Sequence, residues 1–175
     1  MKVFGEDGRE LPAGEVGEIY MRRAEGTPET YKYVGAAART LQGGWESLGD
    51  LGRFDEEGYL YLADRRTDMI LVGGSNVYPA EIENALATHP GVSEACCFGV
   101  PDAKWGEIGW AAVVIRAGYS VTPETLLEFL RQRLARYKVP RRVDLVSELP
   151  RNASGKVLKH YVRALMEERS SGGTP

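Results

Sequence analysis

The sequence predicts an α/β (α+β) chain in two pieces: a glycine-rich β part, then a small domain with a short mixed sheet and helices. Three observations predict it. Thirteen of the 21 glycines lie at or before Gly74, leaving eight for the rest of the chain, and glycine stands well above the roughly 7% of average proteins. Apolar residues before Gly74 come in short runs between turn residues; after it, strand-length runs alternate with stretches of helical period. The length, 175 residues, suits one domain or at most two small ones. The boundaries read as 1–63 for the β part, 64–69 for the join, 70–168 for the α/β part and 169–175 for a disordered tail with nothing apolar to bury.

The elements follow in order. Gly14 to Arg23 sets Val16, Ile19 and Tyr20 between turn residues, and Asp55-Glu56-Glu57-Gly58 parts two apolar ends, a hairpin with Tyr59 to Leu62 as its return strand. Pro79 can stand in the first turn of a helix from Ala80 to Thr88, which His89-Pro90-Gly91 ends. Val92 to Phe98 and Ile108 to Ile115 are strand-length apolar runs. Thr122 caps a second helix, with Leu126, Leu130 and Leu134 on one face. Arg142 to Val146 reads as a short strand and Val157 to Glu168 as the last helix.

Charge narrows the function. The chain carries 22 Lys+Arg against 25 Asp+Glu, yet Arg131 to Arg163 holds ten cations and two acids. A cationic stretch in an acidic chain suits an anionic ligand, while Arg131, Arg133 and Arg163 read first as a solvated helix face. No helix-turn-helix or zinc-finger spacing accompanies it, and only Tyr137 and Tyr161 interleave the cations, so nucleic acid is not the expected partner. No apolar run reaches the roughly 18 residues of a membrane-spanning helix, and Gly5 to Gly8 interrupts any signal peptide at once, so the expected setting is cytoplasmic. Cys96 and Cys97 are adjacent, which points to neither a disulfide framework nor a metal site. His89 and His160 read as a helix end and a helix surface, without a catalytic role.

Pro150 to Val157 (PRNASGKV) contains Gly155-Lys156, but Pro150 stands where a P-loop needs glycine and Val157 where it needs Ser or Thr. A Walker cradle is excluded. Lys156 can still reach a phosphate or carboxylate oxygen as a point charge; residue chemistry alone favours an ordinary surface lysine.

GGWESLGDLG (Gly43 to Gly52), GYLYLADRRTDMILVGGSNVYPAEIE (Gly58 to Glu83), RYKVP (Arg136 to Pro140) and LPRNASGKV (Leu149 to Val157) occur in this order over more than a hundred residues. In sequence and spacing they resemble the closing third of the adenylate-forming acyl-CoA synthetase family, which includes luciferases and peptide-synthetase adenylation domains. The resemblance implies that 1–63 is the β-rich end of a large AMP-binding domain, 64–69 a hinge and 70–168 the C-terminal lid. It also implies the chemistry: ATP and a carboxylic acid give acyl-AMP and pyrophosphate, and the acyl group then passes to the thiol of CoA.

Carried over by position, Asp50 would accept hydrogen bonds from the ribose hydroxyls of ATP, since a carboxylate is acceptor-only and both hydroxyls donate. The alternative is a turn-forming Asp after Gly49. Arg65 would touch the ribose or a nearby phosphate, or else make a strand-end salt bridge. Lys156 would be the adenylation lysine, opposing the charge that develops on the α-phosphate and the attacking carboxylate. Thr67 falls at the hinge, where the family usually has Asp or Lys. Gly73 and Gly74 would line the pantetheine tunnel, or simply make a strand-to-helix turn, and Trp105 and Tyr137 would flank the CoA nucleotide, with core packing as the alternative.

The family's phosphate loop, acid pocket and metal-binding Glu lie N-terminal to Leu11-Pro12-Ala13-Gly14. The expectation is therefore a lid without its partner domain, inactive alone in ATP–pyrophosphate exchange, with Mg²⁺ ligated elsewhere and the missing AMP-binding domain as partner in cis or in trans. A stand-alone module docking CoA or a carrier-protein arm, and a peptide-synthetase lid, are the other readings; VGGSNVYP looks more like the CoA-using branch. The acid is not named by the sequence, beyond a likeness of Gly43 to Val77 to ligases of fatty or bulky acids.

Overall fold

The computed structural model describes residues 1–22, 24 and 39–171. The chain divides into two compact units, Met1–Thr67 and Asp68–Pro175. In the first, β1 (Lys2–Phe4), β2 (Gly17–Arg22), β3 (Thr40–Leu41), β4 (Trp45–Phe54) and β5 (Leu60–Arg65) make a five-stranded antiparallel sheet. The long β4 is its spine, paired with β2 on one side and with β3 and β5 on the other. Asp55 builds the expected turn into β5: its Oδ1 accepts from the N–H groups of Glu57 and Tyr59 at 3.0 and 2.8 Å. Val3, Phe4, Ile19, Tyr20 and Leu51 fill the core of this unit, with Phe4 edge-on to Tyr20 at 5.3 Å.

The second unit is a mixed sheet between helices. It comprises β6 (Ile70–Val72), β7 (Ser75–Val77), α1 (Pro79–Ala87), β8 (Val92–Asp102), β9 (Gly106–Ile115), α2 (Pro123–Arg131), β10 (Arg142–Val146) and α3 (Lys159–Ser171). The 3₁₀ turn Arg66–Asp68 leads into it. Strand β8 covers the whole of one edge of β9; the other edge is shared by β6, at Val72 opposite Gly106, and by β10, parallel from Trp110 to Val114. The Leu126 and Leu130 stripe of α2 is fully buried, and Thr122 caps the helix by accepting from the Thr125 N–H.

Alternation along the strands sorts side chains onto two faces. Cys97, Ala111 and Val113 join Ile82, Leu86, Leu126 and Leu130 on one side, while Cys96, Phe98, Trp110 and Ala112 meet Leu149, Val162 and Met166 of the other. The adjacent cysteines therefore point into different cores. Burial pushes the Cys96 thiol up to about 12, and the Glu83 carboxylate adds to it; burial raises Cys97 as well. A raised thiol pKa stabilises the fold below the unfolded value of 9.0, a contribution lost as pH climbs toward about 12. Neither thiol is expected to react with a disulfide reagent at pH 8 until denaturant opens this unit, and prompt reaction of one thiol in the native protein would contradict this packing.

Elements on both sides of the sheet differ from expectation. Residues 70–77 form a hairpin, β6 and β7, so that Gly73-Gly74 turns from strand to strand and not from strand to helix. The last helix begins at Lys159, because Val157 instead bridges Arg151, and it runs through Ser171; of the expected tail, 172–175 lie outside the described residues.

Candidate functional site

In the first unit Asp50 and Arg65 stand directly opposite each other on β4 and β5. Their side chains approach to 3.8 Å, Arg65 Nε to Asp50 Oδ1, both partly exposed. Asp50 is in a strand, not in a turn. The β2–β4 register slips between Glu18 and Tyr20, so that residues 48–50 face a single residue of β2, and Gly49 takes φ of 74° within that bulge. Two extra residues of this kind bend a strand and re-aim the neighbouring side chain. The strand-end salt bridge expected as the alternative for Arg65 is present, but loose: an exposed pair of this kind is worth about 1 kcal/mol or less. The carboxylate and guanidinium thus remain adjacent, one accepting and one donating, at a solvent-facing edge.

Gly73 and Gly74 are the two turn residues of the β6–β7 hairpin, with φ of 56° and 84°, and positive φ at both central positions is what glycine supplies in such turns. Gly73 has a second reason to be glycine. Its N–H donates to the Trp105 carbonyl at 2.7 Å, and a Cβ would lie 2.9 Å from the Trp105 ring.

Trp105 in turn lines an open groove of about 1000 Å³ with Val72, Ile108, Gly109, Tyr137 and the arginines 131, 136 and 141. The topology explains its place: it opens where the shared edge of β9 is left uncovered between β6 and β10. Arg141 closes its end by donating its backbone N–H to Gly109 O at 2.8 Å. Trp105 and Tyr137 are 37% and 48% exposed, which removes core packing as their role. Arg141 lies 5.8 Å from the Trp105 ring centre and Lys104 5.0 Å. The turn that carries Trp105 is fixed by Asp102, whose carboxyl is held below its usual range by the N–H groups of Trp105 and Lys104.

The cations of the basic segment divide by what they touch. Lys138 is occupied by both oxygens of Glu81 at 2.8 Å, Arg131 pairs with Glu128 and Arg163 with Glu167. Arg136 and Arg141 line the groove, and among the described residues neither is in an ion pair. The sequence places Arg136 and Arg141 in the same cationic stretch as Lys138 without giving either a role of its own; the chain carries no local signal that distinguishes them.

Lys156 is not part of this groove. It sits on a hairpin organised by Asn152, whose side-chain oxygen accepts from the Ser154 and Lys156 N–H groups at 3.0 and 2.9 Å. The Asn152 N–H donates back to the Lys156 carbonyl at 2.9 Å. Arg151 braces the far side, donating to Gly155 O and pairing with Glu94. The Lys156 backbone is thus held on both sides while its exposed ammonium has no partner among the described residues. Asn152, missed in the sequence, is legible there only as a turn former.

A family model described as the AMP-binding enzyme C-terminal domain matches residues 81–156. The chain is 46% identical over 163 residues to a 2-succinylbenzoate–CoA ligase of Bacillus cereus (strain Q1), covering 93% of this chain and 34% of that protein. It is also 46% identical over 162 residues to the fatty acid–[acyl-carrier-protein] ligase ScoC of Streptomyces coeruleorubidus, covering 93% of the chain and 31% of the relative. Among solved structures, the o-succinylbenzoate CoA synthetase (MenE) of Bacillus subtilis, in complex with its acyl-adenylate intermediate, superposes with a TM-score of 0.74 at 36% identity, over 93% of this chain and 33% of that one. The chain therefore spans about a third of the length of these relatives.

Proposed function

We propose that the chain, which matches the C-terminal part of adenylate-forming enzymes, serves the two steps of an ATP-dependent carboxylate–CoA ligase together with a large AMP-binding domain. In the first step a carboxylate oxygen attacks the α-phosphorus of ATP, the bond to pyrophosphate breaks, and acyl-AMP forms. In the second the CoA thiol, having lost its proton, attacks the acyl carbon and AMP leaves. The observation that carries the reading is Lys156, a free cation on a fixed hairpin: it can approach two anions as they are forced together and stabilise the charge without transferring a proton. Asp50 and Arg65 would hold the ribose, the carboxylate accepting from its two hydroxyls. No cluster of three His, Cys, Asp or Glu among the described residues could hold a metal, and the Mg²⁺ that accompanies ATP would be ligated by the large domain. A reaction on ATP and CoA suits the cytoplasm, the setting we propose.

For CoA the groove offers two exposed aromatic faces and two arginines outside ion pairs. Stacking of adenine on Trp105 or Tyr137 and charge-assisted contacts from Arg136 and Arg141 to phosphates suit its nucleotide. Titration of the chain with CoA is expected to quench tryptophan emission, and Trp105→Ala to weaken binding about tenfold or more, given roughly 1–3 kcal/mol for a base stacked on an aromatic ring. A carrier protein is the second reading for the same groove, favoured by the likeness to a ligase whose name includes one; saturation by free CoA would count against it. The decisive test is acyl-CoA formation when the chain is combined with the large domain of a relative. No thioester from any carboxylic acid would sink the proposal.

A further inference from the structure

We propose that Glu18 and Ser47 are positioning residues, a buried relay that fixes the bulge of β4 and so aims Asp50. The inference rests on reading Asp50 as the acceptor of the ribose hydroxyls. Among the described residues Glu18 and Ser47 are the two buried polar ones, 8% and 7% exposed. Both stand at the register slip: Glu18 faces Leu51 and Tyr20 faces Ser47, with Leu48, Gly49 and Asp50 left between them on β4.

A carboxylate this deep requires compensation, and its two oxygens divide the partners. Oε2 accepts from the Arg39 guanidinium at 2.8 Å, from the Tyr20 hydroxyl at 3.3 Å and from Arg66. Oε1 accepts from the Ser47 hydroxyl. A carboxylate held by two guanidinium groups only accepts, so Ser47 must give it the one proton its hydroxyl has, and the Ser47 lone pairs are left for a donor. That donor is the Gly49 N–H, at 3.0 Å. Side-chain packing does not wedge the bulge: beyond its chain neighbours, no atom lies within 4 Å of where a Gly49 Cβ would stand. The relay from Glu18 through Ser47 therefore holds the backbone immediately before Asp50. On the facing strand, the residue after Arg65 is Arg66, bound to the same Glu18 carboxylate. One buried carboxylate thus braces both strands that meet at the Asp50–Arg65 pair.

Glu18→Gln would set both guanidinium groups against a neutral amide at a buried site and is expected to loosen the whole sheet. Ser47→Ala carries the test instead, because the pairs of Glu18 with Arg39 and Arg66 remain. Residue-resolved amide exchange on the full chain is expected to rise about tenfold at Gly49, roughly one lost hydrogen bond, with the β1 and β2 amides unchanged. A second readout, which a merely structural role would not move, is ATP–pyrophosphate exchange with ATP and with 2′-deoxy-ATP in the chain combined with its large domain. The unmodified enzyme is expected to prefer ATP about tenfold or more, the scale of a hydrogen bond to a charged group. Asp50→Asn should lose most of that preference and Ser47→Ala reduce it to about threefold, with no further effect of Ser47→Ala in the Asp50→Asn background. Unchanged exchange at Gly49 would overturn the proposal, as would a rise spread through the sheet, or a Ser47→Ala enzyme that keeps the preference Asp50→Asn loses. In that last case the ribose reading stands and the positioning role alone falls. If Asp50→Asn keeps the preference too, or the combined enzyme is inactive, the ribose reading itself falls, and a response at Gly49 then marks a held bulge and nothing more.

Discussion

Lys156→Ala is expected to lower acyl-AMP formation about 10³-fold while leaving thioester formation from presynthesised acyl-AMP near the unmodified rate, the scale set by removing one group aimed at developing charge. The asymmetry follows from where charge builds up. In the first step a carboxylate and an α-phosphate, both anionic, must approach, and the free ammonium on the Asn152 hairpin is the group able to offset their repulsion. In the second step the adenylate already exists and its phosphate leaves with AMP. Lys156→Arg keeps the charge but brings a planar fork to a position suited to a point charge, so it should recover only part of the rate. The measurements are ATP–pyrophosphate exchange for the first step and CoA-dependent consumption of acyl-AMP for the second, in the enzyme combined with its large domain. Equal loss of both would refute the assignment. So would retention of exchange.

How much of this was legible in the sequence depends on whether a feature was local. Helices α1 and α2 announce themselves through Pro79, Thr122 and Pro123 at their starts, and β10 runs over the residues expected, Arg142–Val146. The β6–β7 hairpin does not: strands of three residues are too short to show a period of two, and a Gly-Gly turn between them looks like a loop. Strand β8 outruns the expected end at Phe98 by four residues and includes Pro101, tolerable because β8 is an edge strand and the missing N–H faces no partner. The site divides in the same way. Resemblance carried Lys156, Asp50 and Trp105 by position, but the cross-strand meeting of Asp50 with Arg65 depends on register through a bulge. That Arg136 and Arg141 line the groove while Lys138 is consumed by Glu81 depends on which side of a turn each faces. Identical side chains in one basic run acquire different roles only through tertiary contacts.

The second large effect is expected at Thr67. Thr67→Pro should leave acyl-AMP formation intact and cut thioester formation by about 10²-fold or more, the scale of loss when reacting groups are held out of place. Proline fixes its own φ near −65° and steers the residue before it, Arg66, away from helical dihedrals. It therefore removes two of the rotations available in the 3₁₀ turn Arg66–Asp68, the segment in which the chain passes from one compact unit to the other. If Lys156 serves the first step and the Trp105 groove the second, two different faces of the second unit must be presented in turn, since Lys156 does not line that groove. A locked backbone at Thr67 permits one presentation only. Thr67→Ala and Thr67→Gly, which keep the dihedrals free, should retain both steps, because the threonine side chain is exposed and the role lies in the backbone. Single-turnover measurements with acyl-AMP separate the step from product release. Unimpaired overall turnover in the proline variant would show that no rotation at this residue is needed, and loss of both steps would show damage to the fold; a selective loss of thioester formation, absent in the glycine variant, is the result that assigns the pivot.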